Sequence, residues 1–328
     1  MLRKKSILYI TAGSFRYGYG HIRRSLELTK SLKKYFDVSL KIYSENNIAE
    51  SIGESETGSL IRKPFEDRAC DIILIDMPEE YAKIASRHYE SVMSDVPLIA
   101  LGYYSPRNKK PDFIINLDRI EEDVEPGANY YSGLEYGIIR ESFFEYRDIS
   151  RSDSDYLNIM ISMGGADTMK TSELLVNSLG TNLNSYSNFR YNLILGPLSE
   201  KFEHDSKCLK IKIYRAPNNM ERLMSEADLA ICNGGTTMLE YAFLGKPIIA
   251  IPQTYLEEVF IRKFENKGTA ILVKCEGIEN DLCSILLELA NNPEKRDEIS
   301  RAGKKLIDGK GKNRIISIIK EAVNGTGQ

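Results

Sequence analysis

Tryptophan is absent from the 328 residues, and histidine occurs three times, at His21, His88 and His204. Cysteine is sparse too: Cys70, Cys208, Cys232, Cys275 and Cys283 are odd in number and widely spaced. No C-x-x-C pair and no Cys/His group with zinc spacing occurs. Neither a disulfide framework nor a structural metal site is indicated, and the thiols read as reduced. An excess of positive charge is also missing. Lys and Arg number 44 against 47 Asp and Glu, a net charge of -3. That balance excludes the basic footprint of a nucleic-acid binder, so no nucleic-acid partner is expected. No apolar stretch approaches the roughly 20 residues of a membrane helix, so no membrane insertion is expected either. The opening, MLRKKSILYITAG, is basic and then apolar, as a signal peptide would be. Its apolar run is short and leads into a glycine loop, so it reads as a first buried strand and the chain as cytoplasmic. Finally, no glycine loop carries Lys and Ser/Thr at Walker A spacing, and none is a clean G-x-G-x-x-G.

What is present is ordinary globular composition, 42% hydrophobic and 28% charged. The length suits two domains, each able to build a core. SILYITA at 6–12 is a continuous apolar run, the mark of a strand buried on both faces. The loop GSFRYGYG follows, then HIRRSLELTKSLKKYF with helical spacing of Ile22, Ser25, Leu26, Thr29, Leu32 and Phe36. VSLKIYS reads as the next strand. This is β-loop-α-β, the opening of a doubly wound sheet. DIILID, PLIAL and DFIINL read as further strands, and Pro78 to Tyr89 as a helix. The charged, serine-rich FEYRDISRSDSDY marks a domain boundary, giving domains 1–148 and 149–328. The second half repeats the alternation. LNIMISM, YNLILG, LKIKIY, DLAIC and KPIIAIP read as strands, and helices start near Thr171, Thr237 and Tyr255. The tail from about Asn280 reads as three helical pieces. The predicted fold class is α/β with two Rossmann-like domains.

Three glycine loops, GSFRYGYGH, MGGADTMK and CNGGTTMLE, sit at strand-to-helix junctions. In open parallel sheets such junctions lie at the carboxyl edge, where ligands bind. Glycine lets a phosphate approach the backbone, and the next helix offers free N–H groups. A tight strand-to-helix turn also needs glycine for structural reasons alone. His21 falls at the mouth of the first loop, where a helix N-terminus favours neutral imidazole, a form able to accept a proton. It could equally cap its helix. Asp76 ends a strand at the same edge, as a functional carboxylate or as an ordinary helix cap. Glu240, on the helix opened by NGGTT, could accept two hydrogen bonds from a ribose diol or stand at the surface. His88 and His204 lie in polar surroundings and read as surface residues.

These segments resemble a known family. GYGHIRRSL resembles the G-x-G-H-x-x-R signature of the UDP-sugar hydrolase of pseudaminic acid biosynthesis. GLEYGIIRESFF resembles its Y-x-x-L-R-x-x-F segment through Tyr136, Arg140 and Phe144, with Ile139 for leucine. MISMGGADTMK resembles its G-G-x-D loop through Gly164, Gly165 and Asp167. ADLAICNGGTTMLEYAFLGKPIIAIP resembles its G-G-x-T-x-x-E loop through Gly234, Gly235, Thr237 and Glu240, a loop shared with the lipid-linked N-acetylglucosaminyl transferases of peptidoglycan synthesis. The resemblance implies a glycosyltransferase-B fold, two Rossmann-like domains facing across a cleft. It implies that the C-terminal domain binds UDP, through Gly164, Gly165, Gly234, Gly235, Thr236, Thr237 and Glu240. It implies that Gly18, Gly20, Arg24, Tyr136 and Arg140 serve the sugar and phosphate side, with His21 and Asp76 catalytic. Neither metal nor cofactor is implied. Two departures fall on the sugar side: Met77 and Pro78 follow Asp76, and LGYYSPRNKK replaces an acidic pair. The expected activity is hydrolysis of a UDP-linked amino sugar, His21 activating water. The alternative is transfer of that sugar to another acceptor by an enzyme of the same fold.

Overall fold

A computed structural model describes residues 3–13, 20–44, 70–78, 81, 96–102, 110–116, 129–149, 155–165, 167, 169–183, 188–197, 199, 202 and 209–325. The expected helix after Pro78 lies largely outside these residues, as do Gly18, His88, His204 and Cys208. The chain forms two units: 1–140 with 309–328, and 141–308. Among the described residues no helix is long and apolar enough to cross a membrane.

Unit 1 holds six parallel strands: β1 (Ser6–Gly13), β2 (Asp37–Ser44), β3 (Ile72–Asp76), β4 (Leu98–Leu101), β5 (Phe113–Asn116) and β6 (Asn129–Ser132), in the order β2-β1-β3-β4-β5-β6. β1 is buried from Ile7 to Gly13 and β3 throughout, as their continuous apolar runs require. Helix α1 (Gly20–Leu32) lays Ile22, Leu26, Leu28 and Leu32 into the interior, with Arg23 and Lys30 exposed. The strand order reverses at β1, between β2 and β3. That crevice is the ligand side of an open α/β sheet. Thr11 of β1 lies in register with Asp76, the last residue of β3, while β1 runs on to Gly13.

Unit 2 also has six parallel strands: β7 (Leu157–Ser162), β8 (Phe189–Leu195), β9 (Ile211–Arg215), β10 (Leu229–Cys232), β11 (Ile248–Ala250) and β12 (Ala270–Leu272). Their order, β12-β11-β10-β7-β8-β9, is the doubly wound arrangement with its switch point between β7 and β10. Helices α2 (Thr171–Leu183), α3 (Met220–Ser225), α4 (Thr237–Phe243), α5 (Tyr255–Glu265), α6 (Asp281–Asn291) and α7 (Pro293–Leu306) belong to it. Ile159, Ile161, Leu193, Leu229, Ile231, Leu175, Leu179 and Leu286 share its core.

The units divide at Arg140, earlier than the charged stretch suggests, and packing supplies the reason. Phe144 meets Phe243 of α4 at 4.9 Å between ring centroids. The Arg147 guanidinium lies 4.4 Å from the same ring and donates to the carbonyls of Lys304 and Ile307. Residues 141–149 are thereby held in unit 2. The last helix, α8 (Gly311–Gly325), belongs to unit 1. Its Lys312 forms a buried 2.6 Å ion pair with Glu27 of α1, and Arg314 donates to the Glu135 carbonyl at 2.9 Å.

Candidate functional site

In unit 1 the switch-point crevice gathers His21, Arg24 and Asp76. His21 is the second residue of α1, the helix that follows β1 in the chain. Asp76, the last residue of β3, is fully buried. His21 Nδ1 lies 2.7 Å from Asp76 Oδ1. Arg24, one turn further along α1, donates through Nε to Oδ2 at 2.7 Å and through Nη2 to Oδ1 at 2.5 Å. Ser25 Oγ and Tyr9 OH donate to Oδ2 at 3.3 and 3.4 Å. Burial alone would raise this carboxyl. The charges of Arg24 and His21, with their hydrogen bonds, outweigh it and hold Asp76 down at about 2. Burial and the Asp76 charge push the Tyr9 phenol up.

An ionised carboxylate can only accept, so a hydrogen bond from His21 to Asp76 carries its proton on Nδ1, the nitrogen that also stands 2.9 Å from the donor Arg24 Nη2. Nε2 is then the basic nitrogen. This is the arrangement in which a carboxylate fixes an imidazole tautomer for proton abstraction. Gly20 opens α1 beside it. Tyr136 and Arg140 follow β6, three places from β3 in the sheet. Tyr136 stands edge-to-face with Tyr131 at 6.2 Å, its phenol raised by burial and by Glu135. The structure thus joins His21, Arg24 and Asp76 but keeps Tyr136 and Arg140 on another strand's loop.

In unit 2 the loops after β7 and β10 flank the switch point and carry both glycine pairs. Gly164 has φ +85°, a conformation suited to glycine. A Cβ on Gly234 would stand 2.6 Å from the Glu257 carbonyl oxygen, so only glycine fits there. Asp167, itself at φ +46°, caps α2 by accepting from the Thr171 and Ser172 amides at 2.9 and 3.0 Å. Gln253 Nε2 donates to Asp167 Oδ1 at 3.2 Å and to the Met163 carbonyl at 3.3 Å. Glu257 accepts from Asn233 Nδ2 and from the Gln253 amide, each at 2.7 Å. Thr236 occupies the cap position of α4 without using its hydroxyl for capping. Gly235, Thr236, Thr237 and Glu240 are half-buried. Asn233, Gln253 and Glu257, which tie these two loops to the segment between β11 and α5, escape the sequence reading. One signal points to Glu257. Thr254-x-x-Glu257 is a capping box, and Thr254 does accept from the Glu257 amide at 3.2 Å. The Glu257 side chain turns inward instead of back to the cap. Burial pushes its carboxyl up, against the lowering effect of the Gln253 amide, Asn233 and the Gly234 amide. Among the described residues no group of His, Cys, Asp and Glu could hold a metal ion.

Residues 189–315 match the glycosyltransferase family 28 C-terminal domain. Protein MJ1062 of Methanocaldococcus jannaschii is 30% identical over 282 residues, 76% of this chain. The chain spans 56% of that protein's length. The spore coat polysaccharide biosynthesis protein SpsG of Bacillus subtilis is 22% identical over 94% of this chain and 96% of its own. The UDP-N-acetylglucosamine–N-acetylmuramyl-(pentapeptide) pyrophosphoryl-undecaprenol N-acetylglucosamine transferase of Bacillus pumilus is 28% identical over 40% of this chain and 36% of its own. The crystal structure of Acinetobacter baumannii MurG superposes with TM-score 0.64 at 13% identity, over 97% of this chain and 99% of that one. The chain has the fold of the glycosyltransferase-B structures, two parallel-sheet α/β units, and its residues 189–315 match the family 28 C-terminal domain.

Proposed function

We propose that this protein transfers a sugar from a UDP-activated donor to an acceptor hydroxyl in the synthesis of a surface polysaccharide. The observation that carries the reading is the His21–Asp76 pair at the unit 1 switch point, 2.7 Å apart. A base fixed in one tautomer is what activation of a hydroxyl requires. His21 Nε2 takes the acceptor proton, and the acceptor oxygen attacks the anomeric carbon. The bond from that carbon to the diphosphate breaks, and the diphosphate keeps the electron pair. In unit 2 the amides of Gly234, Gly235 and Thr236 stabilise that charge and Glu240 accepts from the ribose diol. Gly164 and Gly165 line the neighbouring loop. The family 28 match and the UDP-sugar transferase among the relatives support the donor class. The polysaccharide protein SpsG supports the pathway class.

Hydrolysis, expected from the G-x-G-H-x-x-R resemblance, uses the same base with water as the acceptor. The relative named above with a stated activity is a transferase, and that favours transfer. Nucleotide release from a panel of UDP-sugars, with and without acceptor saccharides, tests the reading. Release should require an acceptor and fall about 10²–10⁴-fold in His21→Ala, with UDP binding retained. Acceptor-independent release would replace transfer by hydrolysis. Full turnover in His21→Ala would remove the proposed base.

A further inference from the structure

Asp76 is held more firmly than orientation of one imidazole requires. His21 engages one oxygen, yet Arg24 engages both, and Ser25 and Tyr9 add to Oδ2. Arg24 lies in the G-x-G-H-x-x-R segment, where the sequence suggests a phosphate or sugar ligand. In the structure its side chain is 9% exposed and its fork is turned onto Asp76, with Nη2 also 2.9 Å from His21 Nδ1.

We infer that Arg24 is a positioning residue that acts through Asp76, and not a substrate ligand. The inference rests on His21 as the base. Two physical facts argue for it. A carboxylate's last torsion is broad and nearly two-fold, so a single hydrogen bond leaves it free to turn. A bidentate guanidinium fixes the carboxylate plane and so fixes where Oδ1 meets the ring. The second fact is charge. A buried Asp–His pair without a further cation favours either a charged imidazole or a shared proton. With Arg24 in place, Asp76 keeps a cation at hydrogen-bond distance that does not depend on the imidazole. Among the described residues the other charges near α1 do not substitute for it. Glu27 is neutralised by Lys312 of α8, Arg23 points outward, and β1 contributes only the neutral Tyr9.

The imidazole nitrogens of 15N-histidine-labelled protein read this without substrate. Only three histidines contribute, and His21→Gln identifies the ring of interest. At pH 8 the parent should show the proton on Nδ1. Arg24→Gln keeps donors but removes the cation and the fork, and the share of the Nε2–H tautomer should rise roughly fivefold, the weight of one ordering hydrogen bond. In turnover, kcat should fall with the donor KM unchanged. An unaltered tautomer ratio with a raised KM would make Arg24 a substrate ligand and overturn the inference. If Arg24→Gln does not fold, Arg24→Lys decides. It keeps the charge but cannot grip both oxygens, so an unaltered ratio there also overturns the proposal. Retained turnover in His21→Ala is a separate result. It would remove His21 as the base of the proposed function and leave the tautomer measurement standing.

Discussion

Asp76 in unit 1 and Glu257 in unit 2 are carboxylates withdrawn from water beside the switch point of a parallel sheet, and burial by itself would raise both. Their partners differ. Asp76 faces a guanidinium and an imidazole, and is lowered to about 2. Glu257 faces a carboxamide and backbone amides, all neutral, and is raised. Neutral donors soften the cost of burying a charge without cancelling it; a cation at hydrogen-bond distance reverses it. The chemistry of each unit follows. Unit 1 keeps a fixed negative charge, against which the proposed base would be oriented. Unit 2 uses its carboxylate as a brace between loops, which on the proposed function leaves the loop amides to the diphosphate.

The comparison can be broken by removing each carboxylate. The largest effect belongs to Asp76→Ala, which strands Arg24 as a buried cation. The expected loss is about 3–5 kcal/mol in urea unfolding of the whole chain. Next comes Gly234→Ala, whose new methyl meets the Glu257 backbone. Overpacking there should cost about 1–3 kcal/mol and weaken UDP binding in calorimetry, with the His21 ring spectrum unmoved. Glu257→Gln should change stability by less than about 1 kcal/mol at neutral pH, because no cation is left behind and the Asn233 amide can turn to pair with it. A loss as large as that of Asp76→Ala would mean that Glu257 has a charged partner, and the contrast would fail.

Much of this was legible in residue order, and the remainder fails for physical reasons. β1 and β3 announce themselves because strands covered on both faces must be apolar throughout, as SILYITAG and IILID are. β6, NYYS, is partly exposed at a sheet edge and carries no such signal. The three tail helices are legible as helices, but which unit α8 joins depends on Glu27, 285 residues away. His21 is visible at a helix start and Asp76 at a strand end. Their pairing across 55 residues is not, because it depends on strand order. Arg24 shows the same limit. A motif gives the presence of a guanidinium, while its target is set by which strand lies next to β1.

A last prediction separates the two carboxylates by the sign of their pH dependence. Asp76 titrates near 2 when folded, against about 3.9 in an unfolded chain. Between those values the unfolded state binds more protons, so stability rises with pH. The contribution, about 2 kcal/mol, is complete above the unfolded value and is lost as pH falls through 2. Glu257 is raised, so from its unfolded value of about 4.3 upward the folded state binds more protons, and stability falls as pH rises. Urea melts of the parent, Asp76→Asn and Glu257→Gln from pH 2 to 8 isolate the two slopes. The parent-minus-variant difference should climb with pH below 4 for Asp76→Asn. For Glu257→Gln it should decline above 4. A flat Glu257→Gln difference would put that carboxylate in water, and the brace between the unit 2 loops would have to come from Gln253 alone.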